Sequence, residues 1–95
     1  MAGRQDRFEW DEANRSHIAL HGVTPEEFEE GMNNDPVEFG SAEVNGELRT
    51  KVAAITGRGR ILEMVYTIRC GKIRAVTAFP VDKRKRERYR GYFEK

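Results

Sequence analysis

The chain has 95 residues, 38% hydrophobic and 35% charged, which leaves room for one domain with a thin core and none for a second. A single cysteine, Cys70, excludes an internal disulfide, and no apolar run approaches the ~20 residues of a membrane-spanning helix. The net charge of +1 hides a sorting by position: residues 1–47 carry 3 Lys/Arg against 12 Asp/Glu, residues 48–95 carry 14 against 4.

In chain order, residues 1–7 are polar and lack the apolar stretch of a signal peptide, so they are expected to form a flexible tail of one cytoplasmic domain spanning 1–95. Phe8-Glu9-Trp10-Asp11 predicts a short edge strand, with Asp11 placed to cap a helix over Asn14–Leu20 whose apolar residues are Ile18 and Leu20 and which ends at His21-Gly22. Thr24-Pro25-Glu26-Glu27 carries the marks of a helix start: a capping threonine, proline at the first position and glutamate where a capping box needs it. Phe28 and Met32 give that helix an i, i+4 apolar pair before Asn33-Asn34-Asp35-Pro36 stops it.

Val37–Phe39 predicts a short strand and Gly40–Gly46 a polar loop. Strands are expected over Leu48–Thr56, Ile61–Arg69 and Lys72–Val81, joined at Gly57-Arg58-Gly59 and Cys70-Gly71, which makes an antiparallel meander. In the third, Ile73, Ala75 and Thr77 alternate against Arg74 and Val76. Asp82 opens a last helix from Lys83 to Tyr89 or beyond, with Tyr89 and Phe93 facing inward. The fold class is therefore α+β: a small antiparallel sheet, two early helices and a basic C-terminal one.

A positive field concentrated in one half attracts polyanions, nucleic acid first among them, unless the two halves neutralise each other across the fold. The candidate contacts are the run Lys83-Arg84-Lys85-Arg86 together with Arg49, Lys51, Arg58, Arg60, Arg69, Lys72 and Arg74 on and between the strands. Tyr89, Tyr92, Tyr66 and Phe79 are candidates for stacking bases, though each alone more often belongs to a core. RNA cleavage needs a group to take the 2′-hydroxyl proton, cations for the phosphorane and a donor for the 5′-oxygen. Glu47, Arg49, His21 and Arg84 supply those types, if the fold gathers them; for His21 a structural helix cap is the commoner role, and His17 is the weaker candidate. Two histidines and one cysteine in no paired spacing give no metal site, and no phosphate-binding glycine loop or serine nucleophile motif is present.

The order Phe8-Glu9-Trp10-Asp11, His21-Gly22-Val23-Thr24-Pro25-Glu26-Glu27, Asp35-Pro36, Gly46-Glu47-Leu48-Arg49, Gly59-Arg60-Ile61-Leu62, Val65-Tyr66-Thr67, Lys72-Ile73-Arg74 and Arg84…Arg86…Tyr89 resembles the BrnT family over residues 8–90. These are RelE-like ribonuclease toxins of type II toxin–antitoxin pairs. The resemblance implies metal-independent mRNA cleavage without a cofactor, a cognate antitoxin of ribbon-helix-helix type, and repression of promoter DNA by the complex. Position by position, His21 matches the family's Lys-His-Gly, Glu47 and Arg49 its Glu-x-Arg, and Arg84, Arg86 and Tyr89 its basic last helix. The chain departs from the family at Leu20 (Lys there), His17 (Asn) and Phe79 (Arg), and Lys51, Arg74 or Lys83 can stand in for the missing cations. Other readings of the same residues are a nucleic-acid- or antitoxin-binding module without turnover, a structural partner protein, and a homodimer pairing the oppositely charged halves.

Overall fold

Two reciprocal caps set the early helices. In the computed structural model, which describes residues 7–93, the Asp11 side chain accepts from the Asn14 N–H at 3.0 Å while the Asn14 side chain accepts from the Asp11 N–H at 2.9 Å. That box starts α1 (Glu12–Ala19) two residues before the expected Asn14, because Asn14 is its third residue, not its first. Thr24 and Glu27 make the same exchange at 3.1 Å each and start α2 (Pro25–Met32) where the sequence expects it. α1 ends at Ala19, one residue before the expected Leu20, which caps it and is 81% exposed; of the two apolar residues only Ile18 is buried. The expected tail falls outside the described residues, apart from an exposed Arg7.

The five strands are β1 (Phe8–Glu9), β2 (Val37–Val44), β3 (Glu47–Ile55), β4 (Ile61–Arg69) and β5 (Lys72–Pro80), ordered β1-β5-β4-β3-β2. β2 to β5 form an antiparallel meander, and β1 joins β5 in parallel, Phe8 opposite Ile73 and Glu9 opposite Arg74, so the sheet is mixed. The expected loop over Gly40–Gly46 is instead most of β2, which turns into β3 through Asn45 and Gly46 at φ 53° and 80°. Asn-Gly is the dipeptide that a two-residue hairpin with both φ positive requires, and it outweighs the small polar residues before it. β4 and β5 are joined the same way by Cys70 and Gly71, at φ 53° and 79°.

One face of the sheet packs Val52, Ala54, Leu62, Met64, Ala75 and Ala78 against Ile18 of α1 and Phe28 of α2. Complete burial of Phe28 contributes roughly 1.5–3 kcal/mol. On the other face α3 (Lys83–Phe93) lays Tyr89 and Phe93 over Ala53, Ile55, Ile61 and Val81. A bulge in β5 decides what shares that face: Val65 pairs with Thr77 but Tyr66 with Ala75, leaving Val76 outside the register. The extra residue resets the alternation, so Thr77 and Arg74 lie on one face and Ala75 and Ala78 on the other. That corrects the expected grouping of Thr77 with Ala75. Among the described residues, no helix is long and apolar enough to cross a membrane.

Candidate functional site

α3 covers only part of its face. Toward the hairpin ends at Asn45-Gly46 and Cys70-Gly71, the period-two alternation leaves Glu47 and Arg49 of β3, Thr67 and Arg69 of β4, and Arg74 of β5 side by side with no helix above them. Arg49 Nε lies 2.9 Å from Glu47 Oε1, and Arg69 Nη2 lies 3.8 Å from Glu47 Oε2. Arg69 Nη1 then reaches Glu9 Oε1 at 3.9 Å. Arg74 Nη1 lies 3.4 Å from the same Glu9 oxygen and 2.8 Å from Asp11 Oδ2.

The result is a ladder of alternating sign, Asp11–Arg74–Glu9–Arg69–Glu47–Arg49, neutral in sum. The hydrogen bond from Arg74 holds the Asp11 carboxyl below its ordinary range, helped by the Asn14 N–H, and Asp11 in turn raises Arg74. Both ends of that rung stay charged across the working pH range. Arg49, Arg69, Arg74, Thr67 and Glu47 line a shallow depression of about 310 Å³, closed on one side by Asn14 and His17 of α1.

Of the residues singled out from sequence, the structure brings together Glu47, Arg49 and Arg74. It does not bring His21 or Arg84 to them. His21 packs its ring 6.0 Å from Phe79 and 5.6 Å from His17, and His17, one turn earlier, is the imidazole that lines the depression. Arg84 is exposed on α3, a helix fastened to Glu63, which lies four residues along β4 from Thr67, about 13 Å at strand rise. Lys51 continues the row of cations on β3 but sits 3.6 Å from Glu63. Arg58 lies in the turn between β3 and β4, past Ile55 and so about 20 Å from Arg49 at strand rise, and it does not join the same patch.

Lys83, Arg84 and Arg86 are exposed on α3 and pair with no carboxylate among the described residues. Tyr89 is corrected as a base-contacting residue: it is 8% exposed, and its hydroxyl donates to Glu63 Oε2 at 2.6 Å. Burial and that hydrogen bond make it an anchor for α3.

The charge sorting along the chain becomes only partly a sorting in space. α2 turns Glu26, Glu29 and Glu30 toward a separate acidic depression of about 480 Å³ with Asn33 and Asn34. α3 turns its unpaired cations the other way. Yet Glu9, Asp11 and Glu47, all from the acidic half, cross over to neutralise the sheet arginines, and Arg60 is drawn to Glu27 at 2.8 Å. Outside the ladder, α3 carries the densest group of exposed cations, Lys83, Arg84 and Arg86 among them.

The sequence offers Arg69 only as one of the strand cations of a basic surface, not as a member of the cleavage set, and ranks His17 below His21. Arg69 carries a signal in the β4 alternation, since it shares parity with Thr67. His17 carries none, because its position depends on where α1 docks along β5. No group of three or more His, Cys, Asp or Glu side chains among the described residues is placed to hold a metal ion. The chain matches no protein-family model and no curated protein.

Proposed function

We propose that the protein is a metal-independent endoribonuclease toxin, in which α3 holds RNA and the depression between β3, β4 and β5 cleaves it. The observation that carries this reading is the placement of one carboxylate, Glu47, between two guanidiniums, Arg49 and Arg69, with Arg74 and an imidazole lining the same recess. A phosphodiester entering there competes with Glu47 for Arg49 and Arg69. The displaced carboxylate is then free to take the 2′-hydroxyl proton as O2′ attacks phosphorus. The guanidiniums neutralise the phosphorane, and His17 returns a proton to the departing 5′-oxygen, leaving a 2′,3′-cyclic phosphate and a 5′-hydroxyl.

The partners that go with this reading are RNA, a cognate antitoxin of the ribbon-helix-helix kind and promoter DNA bound by the complex. The test is incubation of purified protein with a labelled RNA and identification of the product ends. Cyclic phosphate termini, and loss of cleavage at a position carrying a 2′-deoxyribose, support the reading. An RNA left intact over a wide concentration range of protein sinks it.

One observation favours a second reading, a nucleic-acid- or antitoxin-binding module without turnover. Each guanidinium of the depression already has a carboxylate partner, whereas Lys83, Arg84 and Arg86 have none among the described residues. A module of that kind binds RNA through α3 and is indifferent to Arg49→Ala.

A further inference from the structure

The second hydrophobic cluster does not close over its aromatic rings. Phe39 of β2 lies with its ring centroid 5.4 Å from Tyr89 and 6.0 Å from Tyr92, and the two tyrosines are 5.8 Å apart. Tyr89 at the centre is buried, but Phe39 and Tyr92 remain 40% and 42% exposed. The backbone is built to hold Phe39 there. Glu38 pairs with Val52 and Gly40 with Lys51, so Phe39 is the extra residue of a bulge, and the following Gly40 has φ 148°. Bulges of this kind aim one side chain at the cost of a ladder bond, and glycine accepts that φ without steric conflict.

Cations border the rings. Lys51 pairs with Gly40 across the ladder; its side chain is half exposed and lies 3.6 Å from Glu63. On α3, Lys85, whose ammonium shares Glu63 at 3.2 Å, and exposed Arg88 lie seven and four residues before Tyr92, which puts all three on one flank of the helix. A recess of about 410 Å³ lined by Asn34, Asp35, Val37, Ile55, Tyr92 and Phe93 opens at the edge of the platform. Buried Tyr89 and partly buried Phe93 already close the core under α3, so the two outer rings add little to it that an aliphatic side chain would not. Flat π-faces set among cations are the arrangement that holds single-stranded nucleic acid, where phosphates meet the cations and an unpaired base meets the ring.

We propose that Phe39 and Tyr92 form a stacking platform for one unpaired nucleobase of a bound single-stranded RNA. The inference rests on the nucleic-acid reading above and adds to it a base-binding subsite outside the cleavage depression.

The test is fluorescence anisotropy at low salt with two labelled probes, a ten-nucleotide single-stranded RNA and a ribose-phosphate oligomer of equal length without bases. The wild-type protein is expected to bind the intact RNA about tenfold more tightly than the abasic oligomer, in line with the stacking of one base on an aromatic side chain. Phe39→Leu and Tyr92→Leu are expected to abolish that preference and leave abasic binding unchanged. Tyr92→Phe, which keeps the ring, is expected to retain it. Equal wild-type affinity for the two probes overturns the platform and leaves salt-dependent nucleic-acid binding standing. Failure to bind either probe overturns both. Because the decisive comparison is made on the wild-type protein, it does not depend on the folding of any variant.

Discussion

Tyr89 and Lys85 converge on one oxygen of Glu63: the tyrosine hydroxyl donates to Oε2 at 2.6 Å, and the ammonium reaches it at 3.2 Å. Glu63 is 2% exposed, in the middle of the sheet face that α3 covers. Burial pushes its carboxyl pKa up, but the hydrogen bonds from Tyr89 and Lys85 and the charge of Lys51 outweigh that and hold it below the ordinary range. The same hydrogen bond, with burial, pushes Tyr89 up to about 12. A buried charge thus fastens the basic helix to the sheet, and the exposed cations of α3 are positioned by it.

Tyr89→Phe removes the donor and leaves Glu63 buried with only its ammonium partners. The expected loss is about 1–3 kcal/mol of unfolding free energy, read from urea denaturation. Loss of less than a few tenths would show that α3 is held by its apolar contacts alone.

The two shifts set the limits of stability against pH. Glu63 titrates lower in the folded protein than its unfolded value near 4.3, so its contribution is present above that value and is lost as pH falls below it. Tyr89 titrates higher, so its contribution is complete below the unfolded value near 10 and is lost as pH rises toward about 12. Unfolding free energy measured from pH 3 to 11 is expected to fall at both ends. In Tyr89→Phe the alkaline fall between pH 10 and 11 is expected to shrink.

Cys70 occupies a left-handed position, φ 53°, as the first residue of a two-residue hairpin, and its side chain is exposed. That conformation costs a residue with an ordinary side chain roughly 1–2 kcal/mol, and Asn much less. Cys70→Asn is expected to raise the denaturation midpoint, by about 0.5–1 kcal/mol in free energy. An unchanged or lowered midpoint contradicts the turn assignment.

Gly31 lets α2 lie close on the sheet. A Cβ there would stand 2.9 Å from Ala54 Cβ and 3.1 Å from Met64 Cε. The methionine end can move, but Ala54 Cβ is fixed to the backbone of β3. Gly31→Ala is therefore expected to destabilise by about 1–3 kcal/mol, against the gain that alanine brings to an exposed helix position. Thermal unfolding of the variant decides the sign.

What the sequence made legible is what local rules govern. β4 stands where its run of Val, Ile, Leu and Tyr places it, and α2 starts at its capping box. The Glu47-Leu48-Arg49 spacing is enough to put the carboxylate and the guanidinium on one face. β2 was hidden because Gly40, Ser41 and Ala42 read as loop, although Asn45-Gly46 carried the hairpin signal. The ladder was out of reach: Glu9 meets Arg74 only because β1 adds in parallel to β5, a pairing 65 residues apart in the chain. The choice of His17 over His21 rests on the docking of α1, and the exposure of Phe39 on a bulge, and neither leaves a periodic trace.

In the proposed ribonuclease the depression cleaves and α3 binds. The direct measurement is single-turnover cleavage of one RNA by wild type, Arg49→Ala and Arg84→Ala, with affinity and rate determined separately. Arg49→Ala is expected to lower the rate about 10²–10³-fold with affinity nearly unchanged, as for loss of a group that meets charge in the transition state. Arg84→Ala is expected to weaken binding and flatten its salt dependence, with the rate at saturation preserved. A cleavage rate indifferent to Arg49→Ala, in a protein that still binds RNA, would contradict the account.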